Sequence, residues 1–132
     1  MKMRRVVVTG MGALTPIGLN ISEYWDGLVN GVSGAAPITY FDPEKAKTKF
    51  ACELKGFDGS KYFDRKEIRK YDKFSQYGIV AADQAVEDSG VDFNTLNKDR
   101  IGVVWASGIG GIGTFQSEVK DFVNGDGALR FS

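Results

Sequence analysis

The chain has 132 residues, 42% of them hydrophobic, a length and apolar fraction that suit one ordinary globular domain with its own core. Its 17 Lys and Arg balance 17 Asp and Glu, so it lacks the sustained positive excess that nucleic-acid and membrane-surface proteins use, and any electrostatic recognition must be local. With no histidine and one cysteine it cannot form an internal disulfide or a cysteine-based zinc site, nor run Ser-His, Cys-His or histidine-zinc chemistry.

The first residues, Met1 to Arg5, are basic, but the apolar run that follows is only Val6-Val7-Val8. That is too short for a signal-peptide core, and no later stretch approaches the roughly 20 apolar residues of a membrane span, so the cytoplasm is the expected location. The valines predict a short strand over Arg4 to Thr9, buried on both faces as in a parallel sheet. A loop carrying Pro16 and Gly18 leads to Asn20, which with Glu23 forms a capping box, and a helix follows from about Ile21 to Asn30. Its Ile21, Trp25, Leu28 and Val29 share one face. Val32 to Pro43 reads as loop. Lys49 to Leu54 alternates as a strand with one wetter face.

Asp64 caps a helical turn that runs through Lys70, and Asp72 to Asp88 carries the longest helical pattern, ended by Gly90. Gly78, Ala81, Ala82 and Ala85 give that helix a small-residue face on which another element can lie close. Ile101 to Ala106 is a second buried strand, with Trp105 read as core, followed by a glycine-rich loop and an amphipathic helix from about Thr114 to Val123. The order strand, helix, strand, helices, strand, helix is that of an α/β protein with parallel pairing. From Asn124 to Ser132 the chain reads as a turn leading into a new apolar segment, as if another element should begin there.

Two segments invite a functional reading. Gly108-Ile109-Gly110-Gly111-Ile112-Gly113 matches the dinucleotide pattern G-x-G-x-x-G between a strand and a helix. No second strand ending in an acidic residue follows about 20 residues later, and a tight turn with close backbone packing accounts for the same glycines. The run Asp64 to Lys73 concentrates positive charge, and on a helix Lys66, Arg69 and Lys70 fall on one face while Ile68 points inward. That face is either solvated, with Glu67 and Asp72 as partners, or a docking site for an acidic partner.

Arg4-Arg5-Val6-Val7-Val8-Thr9-Gly10-Met11-Gly12, then Thr15-Pro16-Ile17-Gly18, resembles the opening of the β-ketoacyl-[acyl-carrier-protein] synthases, and within them the synthase II branch. Gly31-Val32-Ser33-Gly34, Arg65-Lys66-Glu67, Arg69-Lys70-Tyr71-Asp72, Gln76-Tyr77-Gly78 and Ser107-Gly108-Ile109-Gly110-Gly111 are similar in order and spacing. The resemblance spans nearly the whole chain. It implies α/β architecture of the thiolase-like fold, layered with a mostly parallel sheet, of which residues 1–132 would be an incomplete N-terminal portion.

The implied activity is decarboxylative Claisen condensation of acyl chains with malonyl thioesters on acyl carrier protein, by a homodimer that needs no cofactor or metal. Such chemistry requires an activated thiolate and donors for the thioester oxygen. The family's cysteine, histidines and lysine lie later in its sequence, so no catalytic residue is expected here and the 132-residue chain is expected to be inactive. Cys52, in an alternating strand, is expected to be a small buried hydrophobe rather than the nucleophile. The resemblance assigns Ile109, with Gly108 beside it, to the acyl-pocket wall. It assigns Arg65, Lys66, Arg69 and Lys70 to carrier docking. A noncatalytic carrier-binding module and a dinucleotide-binding oxidoreductase fragment remain the alternatives.

Overall fold

The computed structural model describes residues 3–125. The expected turn and apolar segment after Gly125 lie outside these residues. Helix α1, Ile21–Val29, starts where Asn20 Oδ1 accepts from the Glu23 amide at 2.9 Å. Glu23 returns a bond at 2.7 Å to the amide of Leu19 rather than to Asn20, so the reciprocal half of the cap is displaced by one residue. The helix rests on its own entry loop. Gly27 is its buried residue, with Ile17 against it, and Gly18 sits beneath the Tyr24 amide. Trp25, Leu28 and Val29 are exposed, so the expected apolar stripe is not the face this helix packs among the described residues. The glycines decide this, because only they let two backbones approach so closely.

Strands β1, Ala36–Pro37, and β2, Phe50–Ala51, form a two-residue antiparallel ladder pairing Ala36 with Ala51 and Pro37 with Phe50. The expected loop from Val32 therefore contributes one strand, and the expected strand around Phe50 is shorter than its alternation suggested. Glu53 fastens the next segment by accepting from the Thr39 hydroxyl at 2.6 Å and the Thr39 amide at 3.0 Å. Those bonds hold its carboxyl below the usual carboxylate range.

A single-turn 3₁₀ helix, Gly59–Lys61, precedes α2, Arg65–Lys70, and α3, Lys73–Ser89. Helix α3 contains no proline and is rich in strong helix formers, and Gly90 ends it in the left-handed conformation. It is the mast of the molecule. Val80, 1% exposed, and Gln76 are its buried residues. The N-terminal segment lies along its small face, with Gly10 against Ala85 and Gly12 against Ala81. Gln84 then bridges the following loop, accepting from the Ala13 amide at 3.1 Å and donating to the Leu19 carbonyl at 2.8 Å. Met11 N–H donates to Asp88 at 2.8 Å. The small-residue face does what its composition predicts.

The two valine-rich segments depart from expectation. Residues 4–9 and 101–106 carry no ladder among the described residues, and Val6 and Val104 are 89% and 99% exposed. A strand is defined by a partner backbone, which neither segment has within residues 3–125, so their apolar side chains stay uncovered. Trp105 is correspondingly 64% exposed rather than core, although its indole lies against Gly78 of α3. Cys52 is exposed as well, contrary to the buried role expected of it, because the β1–β2 ribbon is too short to cover it. After the turn Lys98–Arg100, helix α4 runs Ile112–Asn124, two residues earlier than its amphipathic pattern indicated.

Candidate functional site

The basic helix α2 is built by a complete capping box. Asp64 Oδ1 accepts from the Lys66 and Glu67 amides at 2.7 and 2.8 Å, and Glu67 Oε2 accepts from the Asp64 amide at 3.0 Å. Glu67 is thereby turned back on its own helix start. Lys66, Arg69 and Lys70 are exposed on one face, as their spacing requires, and Arg65 is exposed beside them, while Ile68 is half-buried. The helix end is held from α3, where the buried Gln76 side chain donates to the Tyr71 carbonyl at 2.8 Å. Lys70 Nζ stands 5.6 Å from the Tyr71 ring centroid.

Asp72, the other acid that could neutralise this face, is also engaged elsewhere. It stands at the N-cap position of α3 without capping it, and accepts instead from the Thr114 hydroxyl in the first turn of α4. Gly111, with φ of 65°, lies against the same carboxylate, and Gly110 lies over the Phe74 ring. A Cβ at Gly111 would stand 2.6 Å from Asp72 Oδ2, so both the backbone conformation and the close approach require glycine there. The loop's glycines thus serve packing on α3. A carboxylate at the start of α4 fills the place where the dinucleotide reading puts a pyrophosphate, and like charge disfavours that ligand.

A cleft of 620 Å³ opens at this junction, lined among others by Ser60, Arg69, Lys70, Asp72, Lys73 and Thr114. Phe57 also lines it, stacked on Tyr62 at 5.7 Å and edge-on to Tyr77 at 4.9 Å. Desolvation, with a lesser contribution from the hydrogen bond to Tyr40, pushes the Tyr77 phenol up to about 12, so it stays neutral and structural. Ile109 is 76% exposed, and an added Cβ at Gly108 would meet nothing within 4 Å. The loop and the basic helix are brought together; Cys52 belongs to neither. Sequence reading placed Lys73 in the basic run and Gln76 in a family segment without giving either a role at the site, and it missed the Asp72–Thr114 bond. The available signal for the last was an aspartate at a helix start opposite a glycine N-cap that cannot cap its own helix.

Chemically, the arrangement offers a cation-rich face beside an open cleft in a chain that contains no histidine. Residues 3–129 match the family model described as beta-ketoacyl synthase, N-terminal domain. The chain belongs to the beta-ketoacyl synthase family. This ketoacyl synthase chain is 50% identical over 112 residues to 3-oxoacyl-[acyl-carrier-protein] synthase 2 of Vibrio cholerae serotype O1, covering 85% of the chain and 27% of that relative. It is 46% identical over 121 residues to the protein of the same name from Staphylococcus aureus strain COL, covering 92% of the chain and 29% of the relative. The Synechocystis protein of that name is 42% identical over 118 residues, covering 89% and 28%. The ketoacyl synthase chain therefore spans less than a third of the curated relatives it matches.

Among solved structures, the ishigamide ketosynthase/chain length factor is similar with a TM-score of 0.63 and 39% identity, covering 70% of this chain and 23% of that one. A type II polyketide acyl-carrier protein in complex with its hexaketide-bound ketosynthase, AntDE:AntF, gives a TM-score of 0.69 at 30% identity, covering 92% and 30%. Both are ketosynthases, which assigns the ketoacyl synthase chain a thiolase-like fold. No helix among its described residues is long and apolar enough to cross a membrane.

Proposed function

We propose that this chain is part of a cytoplasmic, homodimeric 3-oxoacyl-[acyl-carrier-protein] synthase of fatty acid elongation, a condensing acyltransferase joining acyl chains to malonyl units on acyl carrier protein. Residues 1–132 then supply the first portion of its N-terminal domain: scaffold, a wall of the acyl pocket at Gly108 and Ile109, and the docking face. The unpaired valine segments, Val6–Val8 and Val103–Val104, are strands of a mostly parallel sheet whose partners lie outside residues 3–125. The thiolate and its activating groups lie outside the chain too, since it contains no histidine and Cys52 stands apart from the cleft.

One observation carries the docking assignment. Both acids adjoining the basic face are bound elsewhere, Glu67 in the capping box and Asp72 by Thr114, which leaves Arg65, Lys66, Arg69 and Lys70 exposed to an acidic partner. Acyl carrier protein is that partner, and the ketosynthase–carrier complex among the structural relatives supports the choice. Titration of the intact protein with acyl carrier protein tests it. Lys66→Glu, Arg69→Glu and Lys70→Glu together are expected to weaken binding by about tenfold or more at low salt, with the difference shrinking at high salt. Unchanged affinity defeats the docking assignment. For the 132-residue chain by itself no malonyl-dependent condensation is expected, and measurable turnover would place the nucleophile within it. Ile109→Trp in the intact enzyme is expected to shorten the acyl chains it accepts; an unchanged length profile removes Ile109 from the pocket wall.

A further inference from the structure

We propose that Asp72 is a positioning residue that ties the glycine-rich loop to the basic helix, so that a partner bound on Lys66, Arg69 and Lys70 and the placement of Ile109 are thermodynamically coupled. The coupling to a partner rests on the docking reading above; the tie itself rests on geometry alone.

Four contacts make the tie. The α2 end is fixed by Gln76 donating to the Tyr71 carbonyl. The next residue, Asp72, accepts from Thr114, 42 positions away, and packs its other carboxylate oxygen on Gly111. Phe74 lies under Gly110. The loop is thus gripped at its C-terminal side by two residues of one α3 turn, whereas around Gly108 an added Cβ would meet nothing within 4 Å. Helix α4 also needs the grip. Its N-cap is Gly111, which has no side chain to offer, and the Asp72 carboxylate supplies the negative charge that a 13-residue helix favours at its start.

Asp72 shares the cleft wall with Arg69, Lys70 and Lys73. Carboxylates of an acidic partner drawn to those cations come beside the charge that holds Thr114. By linkage, whatever the partner does to the grip, the grip does in return to the partner. None of this involves the reacting thioester; Asp72 acts through the loop.

Hydrogen exchange at the amides of residues 110–115 in the intact protein reads the tie, with and without acyl carrier protein. Without a partner, Thr114→Val and Asp72→Ala are expected to raise exchange there about tenfold, while Thr114→Ser, which keeps the hydroxyl, restores the wild-type rate. Amides of α1 keep their rates, which separates local loosening from loss of the fold. The carrier changes exchange of these amides in the wild type and in Thr114→Ser but not in Thr114→Val. Unaltered exchange in Thr114→Val, or an equal carrier response in wild type and Thr114→Val, overturns the proposal. A wild-type protein that does not bind the carrier overturns the docking reading and the coupling with it, and the partner-free comparison still decides whether Asp72 positions the loop.

Discussion

A Cβ on Gly12 would stand 2.0 Å from the carbonyl oxygen of Ala81, so the N-terminal segment meets α3 backbone to backbone. No side-chain rotation can relieve such a contact. Gly12→Ala is therefore expected to destabilise the fold by about 1–3 kcal/mol or more through overpacking, read as a lowered midpoint in denaturant unfolding of the intact protein. Gly113→Ala, where an added Cβ meets nothing within 4 Å, provides the contrast and should have a much smaller effect.

Gln84, on the same face of α3, holds the loop that follows, with one bond accepted from Ala13 and one donated to Leu19. Gln84→Ala removes both and should cost about 1–3 kcal/mol, each bond being worth roughly 0.5–1.5 kcal/mol. Gln84→Glu keeps the acceptor for the Ala13 amide but places a carboxylate oxygen against the Leu19 carbonyl. It is expected to be no more stable than the alanine variant at neutral pH and to recover on acidification, when the carboxyl can donate. A glutamate variant as stable as the wild type at neutral pH would mean that the Leu19 bond contributes nothing.

The capping box at Asp64 makes α2 a helix despite its six residues. Asp64→Ala should destabilise it by about 0.5–2 kcal/mol and, on the proposed docking reading, weaken carrier binding although no basic residue of α2 has been touched, because Lys66, Arg69 and Lys70 share one face only while helical. Asp64→Ser, which retains a capping oxygen, should recover most of both. Carrier affinity indifferent to Asp64→Ala would show that the cations act as a diffuse patch.

Thr39 and Glu53 set a pH dependence with a definite sign. The hydroxyl and amide of Thr39 hold the Glu53 carboxyl below its ordinary value of 4.5 in the folded protein, so the folded state favours the ionised form. The associated stability is complete above that ordinary value and is lost as pH falls through the lower folded one. Melting temperature followed downward from about pH 6 should fall more steeply for the wild type than for Thr39→Val, and parallel curves would remove Thr39 as the cause.

How much of this was legible in the sequence differs by kind. The helices were, because their signals are local: Asn20 with Glu23, Asp64 with Glu67 and Gly90 after Ser89 act within four residues of one another. The family was legible too, since its segments keep their order along the chain. Burial was not. Apolar Val6–Val8 and Val103–Val104 read as core, yet what covers a strand is another part of a sheet, and none of the described residues provides it. Alternation likewise marked Cys52 as inward, although a ladder of two residue pairs has too little area to bury it.

By itself the sequence determined the caps at Asn20 and Asp64, the family and the clustering of Arg65, Lys66, Arg69 and Lys70 on α2, because these signals lie in residue type and order along the chain. Only the tertiary structure decided what the charges and glycines are for. Asp72 could have capped α3 or neutralised Lys70, and Gly111 could have faced a phosphate; instead the two meet each other and Thr114. A carboxylate goes to the donor that packing brings within reach, and that donor lay 42 residues away, where short-range spacing carries no information.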